Sequence, residues 1–451
     1  MTTTDPATVP PAPEAPLAVR EKLAALRVFH TGPGVVAAAA GPVALLTFRP
    51  RWLIPRYAMV SSPQGARDVL GRTDGAFDKQ HIVHRQSQAF GRNVFNLPHD
   101  PWVGRRRLLQ PLFTRRHVAT FAGHMAGSAD VLADEWIGRG TVDLDEQTRR
   151  LSLRVIGHSV FGLDLGERAE QLGPPVKGVL TWLTGRTRRP VRAPGWLPTP
   201  ARRRMRTSLT TIRAVIGEAI AAARADPDSE AELIKLLLAA TDPDTGERLS
   251  DEQIRDELFV FLIAGHDTTS TTLAYSLWTL GRDADLQDRV AREVAELGDR
   301  PLTVDDLSGL PLTMRVIHEA LRLCPPAPII VRSAMRDTVV DGHLIPAGTQ
   351  VIVGAYVMHH DPALWPDPER FDPDRFLSTR LTGNDRWRYL PFGAGPRSCI
   401  GDHFAMLEAT LGLATVIGKA RIESLDEDFP IGLPFTLTAG GPVPARITAR
   451  R

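Results

Sequence analysis

The sequence predicts a mainly α-helical fold with a small β-rich part, and three features carry that expectation. The first is one long helix over residues 250–280. Ser250-x-x-Gln253 is a capping-box pattern that starts it. Residues 258–264 are apolar on every side, which places the helix inside a core and not along a surface. The second is a series of further helical stretches, over residues 18–28, 63–70, 117–137, 145–161 and 404–416. The third is that strand-like segments are few and short. They cover residues 43–48, 57–61 and 329–332, with a hairpin-like pattern in 337–353 around Asp341-Gly342 and Pro346-Ala347-Gly348.

At 451 residues the chain can bury a large core, and length alone is compatible with one large domain or with two or three. An apolar fraction of 43% and a charged fraction of 24% belong to an ordinary globular protein. A net charge of +2 gives no indication of nucleic acid. Only five of the 54 basic residues are lysines. Two cysteines, Cys324 and Cys399, imply no disulfide framework, so a reducing cytoplasm is the expected compartment. Cys324 reads as a small buried apolar side chain. Residues 1–16 are rich in Pro, Thr and Ala and read as a disordered tail, with one domain expected from 17 to 451. The uncharged run 31–48 is broken by Gly32, Pro33, Gly34, Gly41 and Pro42, so no transmembrane segment is expected there.

Along the chain, residues 76–97 are loop-rich and carry Phe77, Phe90 and Phe95, which either line a pocket or anchor the core. A helix beginning at His99-Asp100-Pro101 presents Trp102 and Arg106 on one face, four residues apart. Arg105, Arg107, Arg115 and Arg116 lie around it, as a cationic patch for an acidic partner or as solvated charges. Eight arginines and Trp196 fall between Arg186 and Arg206, reading as a mobile solvated lid or a contact with an anionic membrane surface. In the middle of the long helix, Ala264-Gly265-His266-Asp267-Thr268-Thr269 places a glycine, an acid and two threonines where good helix formers are expected. A local violation of this kind marks a functional site. Further on, Glu319 and Arg322 share a helix face three residues apart.

The segment around which the chain is organised is 392–401, Phe-Gly-Ala-Gly-Pro-Arg-Ser-Cys-Ile-Gly. Gly393, Gly395 and Gly401 permit backbone angles and approaches that a Cβ forbids, and Arg397 sets a permanent cation two residues before the sulfur of Cys399. A thiolate at the start of an apolar helix is stabilised by the N–H groups aimed at it, so a lowered pKa is expected for Cys399.

This loop resembles the haem-ligand signature of the cytochrome P-450 monooxygenases, with Phe392, Gly395, Arg397, Cys399 and Gly401 at the family's offsets. Residues 264–268 are similar to the family's oxygen-helix motif, and Glu319-x-x-Arg322 to its framework motif, with Arg370 of Pro368-Glu369-Arg370-Phe371 as the third partner. The resemblance runs from about residue 42 to the end. It implies a single triangular, mostly helical domain around a buried haem b, with Cys399 as axial thiolate ligand. Trp102, Arg106 and Arg332 then hold haem propionates, and Ala264, Phe392, Arg397 and Gly401 surround the cofactor. Ala264 and Gly265 leave room for dioxygen, and Asp267 and Thr268 deliver protons to it. Phe90, Phe95, Phe261, Ile329, Ile330 and Phe435 are the implied substrate pocket.

The implied activity is insertion of one oxygen atom from O2 into an apolar small molecule of terpenoid, fatty-acid, steroid or macrolide type. Electrons come from a separate ferredoxin or flavodoxin and an NAD(P)H-dependent reductase, because no flavin domain or ferredoxin cysteine cluster is visible. The expected state is a monomer. Two other readings stand beside it. One is a haem-thiolate protein that binds a ligand or gas without turnover, against which the Asp267-Thr268 pair argues. The other is a hydrolase with Cys399 as nucleophile and His403 as base, which explains none of the other motifs.

Overall fold

The computed structural model describes residues 9–50, 54–79, 90–166, 168–188, 199–226, 231–242, 244–377, 385–433 and 436–450. Six of its helices frame the site: α1 (Val19–Arg27), α2 (His99–Leu109), α3 (Leu144–Ile156), α4 (Asp251–Leu280), α5 (Pro311–Leu323) and α6 (Asp402–Lys419). A five-stranded sheet lies beside them, built from β1 (Val43–Leu46), β2 (Tyr57–Val60), β3 (Phe77–Asp78), β4 (Ile330–Ala334) and β5 (Gln350–Val353) in the order β1-β2-β5-β4-β3. Only β2 and β5 run parallel, with Val60 beside Val353. The mainly α architecture with a small β part is therefore the one expected from the pattern.

The capping box that starts α4 forms as read. Gln253 N–H donates to Ser250 Oγ at 3.3 Å, and Ser250 N–H to Gln253 Oε1 at 2.8 Å. The helix is buried for most of its length, and most of its hydroxyls bond carbonyls within it. Thr271 donates to Asp267 O, Thr272 to Thr268 O, Ser276 to Thr272 O and Thr279 to Tyr275 O, all at 2.7–3.0 Å. A threonine that bonds the carbonyl four residues back can sit in a core at little cost, which is how so polar a stretch lies inside. Residues 145–161 are helical as expected, but α3 ends at Ile156 and a π-helical turn covers Gly157–Phe161. Gly157 permits it, since a Cβ there would stand 2.4 Å from Leu163 O.

The N-terminal expectation needs correction. Residues 10–15, read as part of a disordered tail, run from a separate two-stranded hairpin (Thr338–Val340 with His343–Ile345) to the β1 edge of the sheet. Ala12 N–H donates to Leu344 O and Leu344 N–H to Pro10 O, while Ala15 and Leu45 exchange bonds with Leu45 O and Pro13 O. Ala12 and Ala15 are buried. Prolines lack the N–H that an edge strand leaves unpaired, so a Pro-rich extended segment suits this place. No helix among the described residues is long and apolar enough to cross a membrane.

One core residue stands out energetically. Glu408 of α6 is 1% exposed, and neither of its carboxylate oxygens has a hydrogen-bond partner. Burial pushes its carboxyl up to about 8, with the nearby Ser152 hydroxyl opposing. A folded-state value above the usual one means stability is greatest in acid and falls as pH rises from about 4.5 toward 8, by about 3 kcal/mol at neutrality. Denaturant midpoints measured from pH 5 to 8 are expected to decline more steeply in the native sequence than in Glu408→Gln.

Candidate active site

Between α4 and α6 lies a cavity of about 600 Å³, walled mostly by apolar side chains. The loop before α6 places Cys399 on it. Cys399 N–H donates to Phe392 O at 2.9 Å and Ser398 N–H to Gly395 O at 3.1 Å, so the loop is a stack of tight turns. Gly393 and Gly395 take φ of 67° and 73°, and a Cβ on Gly395 would stand 1.9 Å from Leu70 O. Both therefore serve as expected. Gly401 has an ordinary φ of −99° and borders the cavity, where a Cβ would meet no protein atom within 4 Å. Its missing side chain keeps the space beside the sulfur clear. Phe392 lines the cavity too.

The Cys399 side chain is accessible, but onto this cavity. Its expected low pKa is not found. Burial pushes the thiol up to about 11, and the Gly401 N–H bond and the charges of Arg106 and Lys79 only partly offset it. Desolvation thus outweighs the helix terminus, and a thiolate here needs a metal cation to hold it.

Cations gather at one side of the sulfur. Arg106 lines the cavity and donates to Ser398 O at 3.0 Å. Arg332 of β4 is buried, with its pKa held down to about 10 by desolvation and by the like charge of Arg397. Lys79, not anticipated from the sequence, also lines the cavity; burial, then Arg332 and Arg397, depress its pKa strongly. Its only sequence signal was a lysine in an arginine-rich chain. Arg397 borders the cavity but is taken up by Asp78 at 2.8 Å and Leu97 O at 2.9 Å, with its guanidinium 4.4 Å from the Trp102 ring. Depressed cations facing an apolar cavity call for anionic partners. Two carboxylates of a planar cofactor ligated by Cys399 meet that need, so the residues present fit a haem.

Opposite, α4 lines the cavity with Ala264, Gly265, Asp267 and Thr268. Thr268 Oγ1 donates to Ala264 O at 2.7 Å, which leaves its lone pairs to accept from the cavity. Gly265 has a different reason from the one expected: a Cβ there would sit 2.6 Å from Ile156 Cδ1, so the glycine lets α3 and α4 approach. Asp267 is buried, pairs with Arg149 of α3 at 2.5 Å and accepts from the Thr436 hydroxyl. Burial works against the Arg149 cation, but Asp267 and Asp145 outweigh it and leave its pKa raised. His266 is buried with its Nδ1 unpartnered, and burial brings it down to about 4. Among the described residues no group of three His, Cys, Asp or Glu side chains could hold a metal ion.

Phe90, Phe95, Phe261, Ile329 and Ile330 all line the cavity. Phe435 lies outside the described residues, as does the 189–198 part of the arginine-rich segment with Trp196; its neighbours Leu433 and Thr436 do line the cavity. Arg105 does not join a surface patch. It is buried against Glu257, whereas Arg107 pairs with Asp244 and Arg115 and Arg116 are exposed.

The framework pair forms, with a different third member. Arg322 donates to Glu319 at 2.7 and 2.8 Å, and both are fully buried. Arg375, not Arg370, completes the set, its Nε reaching Glu319 Oε1 at 3.2 Å. Arg370 has an exposed residue surface and offers only its carbonyl, to Arg322 at 3.2 Å. Sequence reasoning also missed His359. Its Nδ1 is 3.1 Å from Arg322 O and its Nε2 accepts from Leu390 N–H at 2.9 Å, so it carries the framework to the cysteine loop.

A lone thiol presented to an apolar cavity, beside desolvated cations and with the Thr268 hydroxyl on the same cavity, defines a protein that holds its prosthetic group by cysteine. The chain matches the Cytochrome P450 family over residues 47–436 and belongs to it, as a monooxygenase whose family implies haem with cysteine thiolate ligation. It is 31% identical to cyclooctat-9-en-7-ol 5-monooxygenase of Streptomyces melanosporofaciens, over 86% of this chain and 85% of that protein. Identity to pentalenene oxygenase of Streptomyces avermitilis is 32%, over 80% of each. The crystal structure of a mutant cytochrome P450DA heme domain superposes with a TM-score of 0.82 at 26% identity, covering 98% of both chains.

Proposed function

We propose that this protein oxidises a cyclic terpenoid, inserting one oxygen atom from O2 into a C–H or C=C bond, with haem b held by Cys399. The observation that carries the proposal is the cavity itself. It has Cys399 at one wall, Thr268 and Ala264 at the facing wall, and phenylalanines and isoleucines over the rest. The names of the two Streptomyces relatives favour a terpenoid over the fatty acids, steroids and macrolides the sequence also allowed.

A haem whose iron takes the Cys399 thiolate supplies O2 activation, because thiolate donation favours O–O cleavage. The chain's own residues do the rest. Lys79, Arg106 and Arg332, which border the cavity, would hold the cofactor's carboxylates by charge-assisted bonds. The Thr268 hydroxyl, its proton committed to Ala264 O, accepts from a water in the cavity and so fixes where the next proton arrives. Asp267 stands next to it in sequence, anchored by Arg149 and Thr436, as the link toward solvent. The apolar walls exclude bulk water and orient the hydrocarbon. Electrons arrive from a separate ferredoxin or flavodoxin with its NAD(P)H-dependent reductase. Two unpaired cysteines suit the cytoplasm.

The test is incubation with cyclic sesquiterpene and diterpene hydrocarbons, a surrogate ferredoxin and reductase, NADPH and isotopically labelled O2. A product carrying one labelled oxygen is expected. Thr268→Ala is expected to keep consuming NADPH while product falls about tenfold or more and peroxide rises. Unchanged coupling in that variant would remove Thr268 from the relay.

A further inference from the structure

Of the four carboxylates of α4 that the chemistry above does not use, two, Asp256 and Glu257, are turned toward one wall of the cavity. That wall is residues 90–97, which bring Phe90, Val94 and Phe95 onto the cavity. It is braced from within by two fully buried asparagines. Asn93 Nδ2 donates to Phe90 O and Asn96 Nδ2 to Gly91 O, each at 2.7 Å, while Asn93 N–H reaches Asn96 Oδ1 at 3.0 Å. So braced, the turn moves as a unit or not at all.

Beside the packing of Phe90 on Phe259, two carboxylates of α4 hold its backbone. Val94 N–H donates to both oxygens of Glu257, at 3.0 and 3.1 Å, and Arg92 N–H to Asp256 Oδ2 at 2.7 Å. Gly91, with φ of 67°, lies so close that a Cβ would stand 1.9 Å from Asp256 Oδ1. Glu257 is fully buried and is held in turn by Arg105 of α2 at 2.5 Å. Glu257 lies about three helical turns before Asp267 and Thr268, too far for a part in the proton relay. Removing one member of a buried ion pair is costly, yet here the pair's remaining hydrogen bonds go to a piece of cavity wall.

We propose that Glu257 is a positioning residue for substrate, latching residues 90–97 to α4 with the help of Arg105 and Asp256, and thereby setting where Phe90, Val94 and Phe95 meet the substrate. The inference rests on reading this cavity as the pocket of a haem-thiolate oxygenase. The latch needs Glu257 as a carboxylate, since both its oxygens accept. Burial raises that carboxyl to about 7, against the opposing pull of Arg105 and the Val94 N–H and with the Asp256 charge adding to the rise. Arg105 faces it from α2, and Asp256 beside it faces the Arg92 N–H, with Arg213 acting on Asp256 at longer range. Acidification through neutrality therefore slackens the latch.

The experiment uses the haem-loaded protein and two nitrogen bases that bind iron and stay essentially neutral over the range used: pyridine, and 4-phenylpyridine, which extends one ring further toward the cavity walls. A wild-type protein that shows no iron-ligation spectrum with pyridine would refute the haem reading itself. Given that spectrum, 4-phenylpyridine is expected to bind roughly tenfold more weakly to Glu257→Gln than to the native protein, with pyridine affinity unchanged. The native affinity for 4-phenylpyridine is expected to fall between pH 8 and 6.5, and that of the variant to stay flat. If Glu257→Gln does not hold haem, Asp256→Ala decides, since it frees only the Arg92 N–H; a severalfold loss specific to 4-phenylpyridine supports the latch. Equal affinities and equal pH profiles in the native protein and whichever variant is measured would overturn it.

Discussion

Replacing Cys399 with histidine is expected to give a protein whose reduced, carbon-monoxide-bound form lacks the strongly red-shifted Soret band of the native one and which makes no oxidised product. The loop explains why the loss is complete. Phe392 O and Gly395 O receive the N–H groups of Cys399 and Ser398, so the backbone around the sulfur is fixed before any cofactor arrives. His403, the nearest alternative, is half-exposed at the start of α6, beside Asp402 and off the cavity wall, and gives no second ligand. Cys399→Ser, nearly the same size, separates chemistry from packing. It is expected to keep the native denaturation midpoint while losing the shifted band, because a hydroxyl does not donate charge to iron as a thiolate does. A red-shifted band in either variant would show that another residue ligates the iron.

What the sequence disclosed and what it withheld divide along a physical line. Ser250 and Gln253 are three residues apart, and the rule linking them is local, so α4 could be read to its first residue. The loop 392–401 was legible for the same reason: its glycines, its cation and its cysteine act within one turn of chain. By contrast, Arg105 and Glu257 are 152 residues apart, and Arg149 and Asp267 are 118 apart. Nothing in composition or spacing joins them, and each arginine looked like one more basic residue in a basic chain. Cys399 shows a local rule overruled. The helix start does favour a thiolate, but the cavity around it disfavours any charge more strongly. The Pro-rich N-terminus erred the other way. Its composition matches a disordered tail, and only Leu45 on the sheet's edge and Leu344 on a separate two-stranded hairpin give it a place.

The choice between Arg370 and Arg375 yields the second large effect. The chain offers two Pro-x-Arg-Phe tetrapeptides, Pro368–Phe371 and Pro373–Phe376, and local sequence cannot rank them. Glu319 can. Fully buried, with desolvation raising its pKa, it is satisfied by both donor groups of Arg322, by Asp372 N–H at 2.9 Å and by Arg375 Nε. Arg375 further ties the segment down through Pro366 O and Asp367 O. Glu319→Ala leaves the Arg322 cation buried and unpaired, and is expected to cost about 3–5 kcal/mol, with haem lost on heating well before the native protein releases it. Arg375→Ala leaves Glu319 one ion pair and is expected to cost about 1–3 kcal/mol. Arg370→Ala is expected to stay within about 0.5 kcal/mol of the native protein, since its contribution is a carbonyl that alanine keeps. Denaturant unfolding of the three variants checks the order. A loss for Arg370→Ala equal to that of Arg375→Ala would mean that the first tetrapeptide, and not the second, braces the loop through which Arg322 and His359 hold Leu390 and the cysteine beyond it.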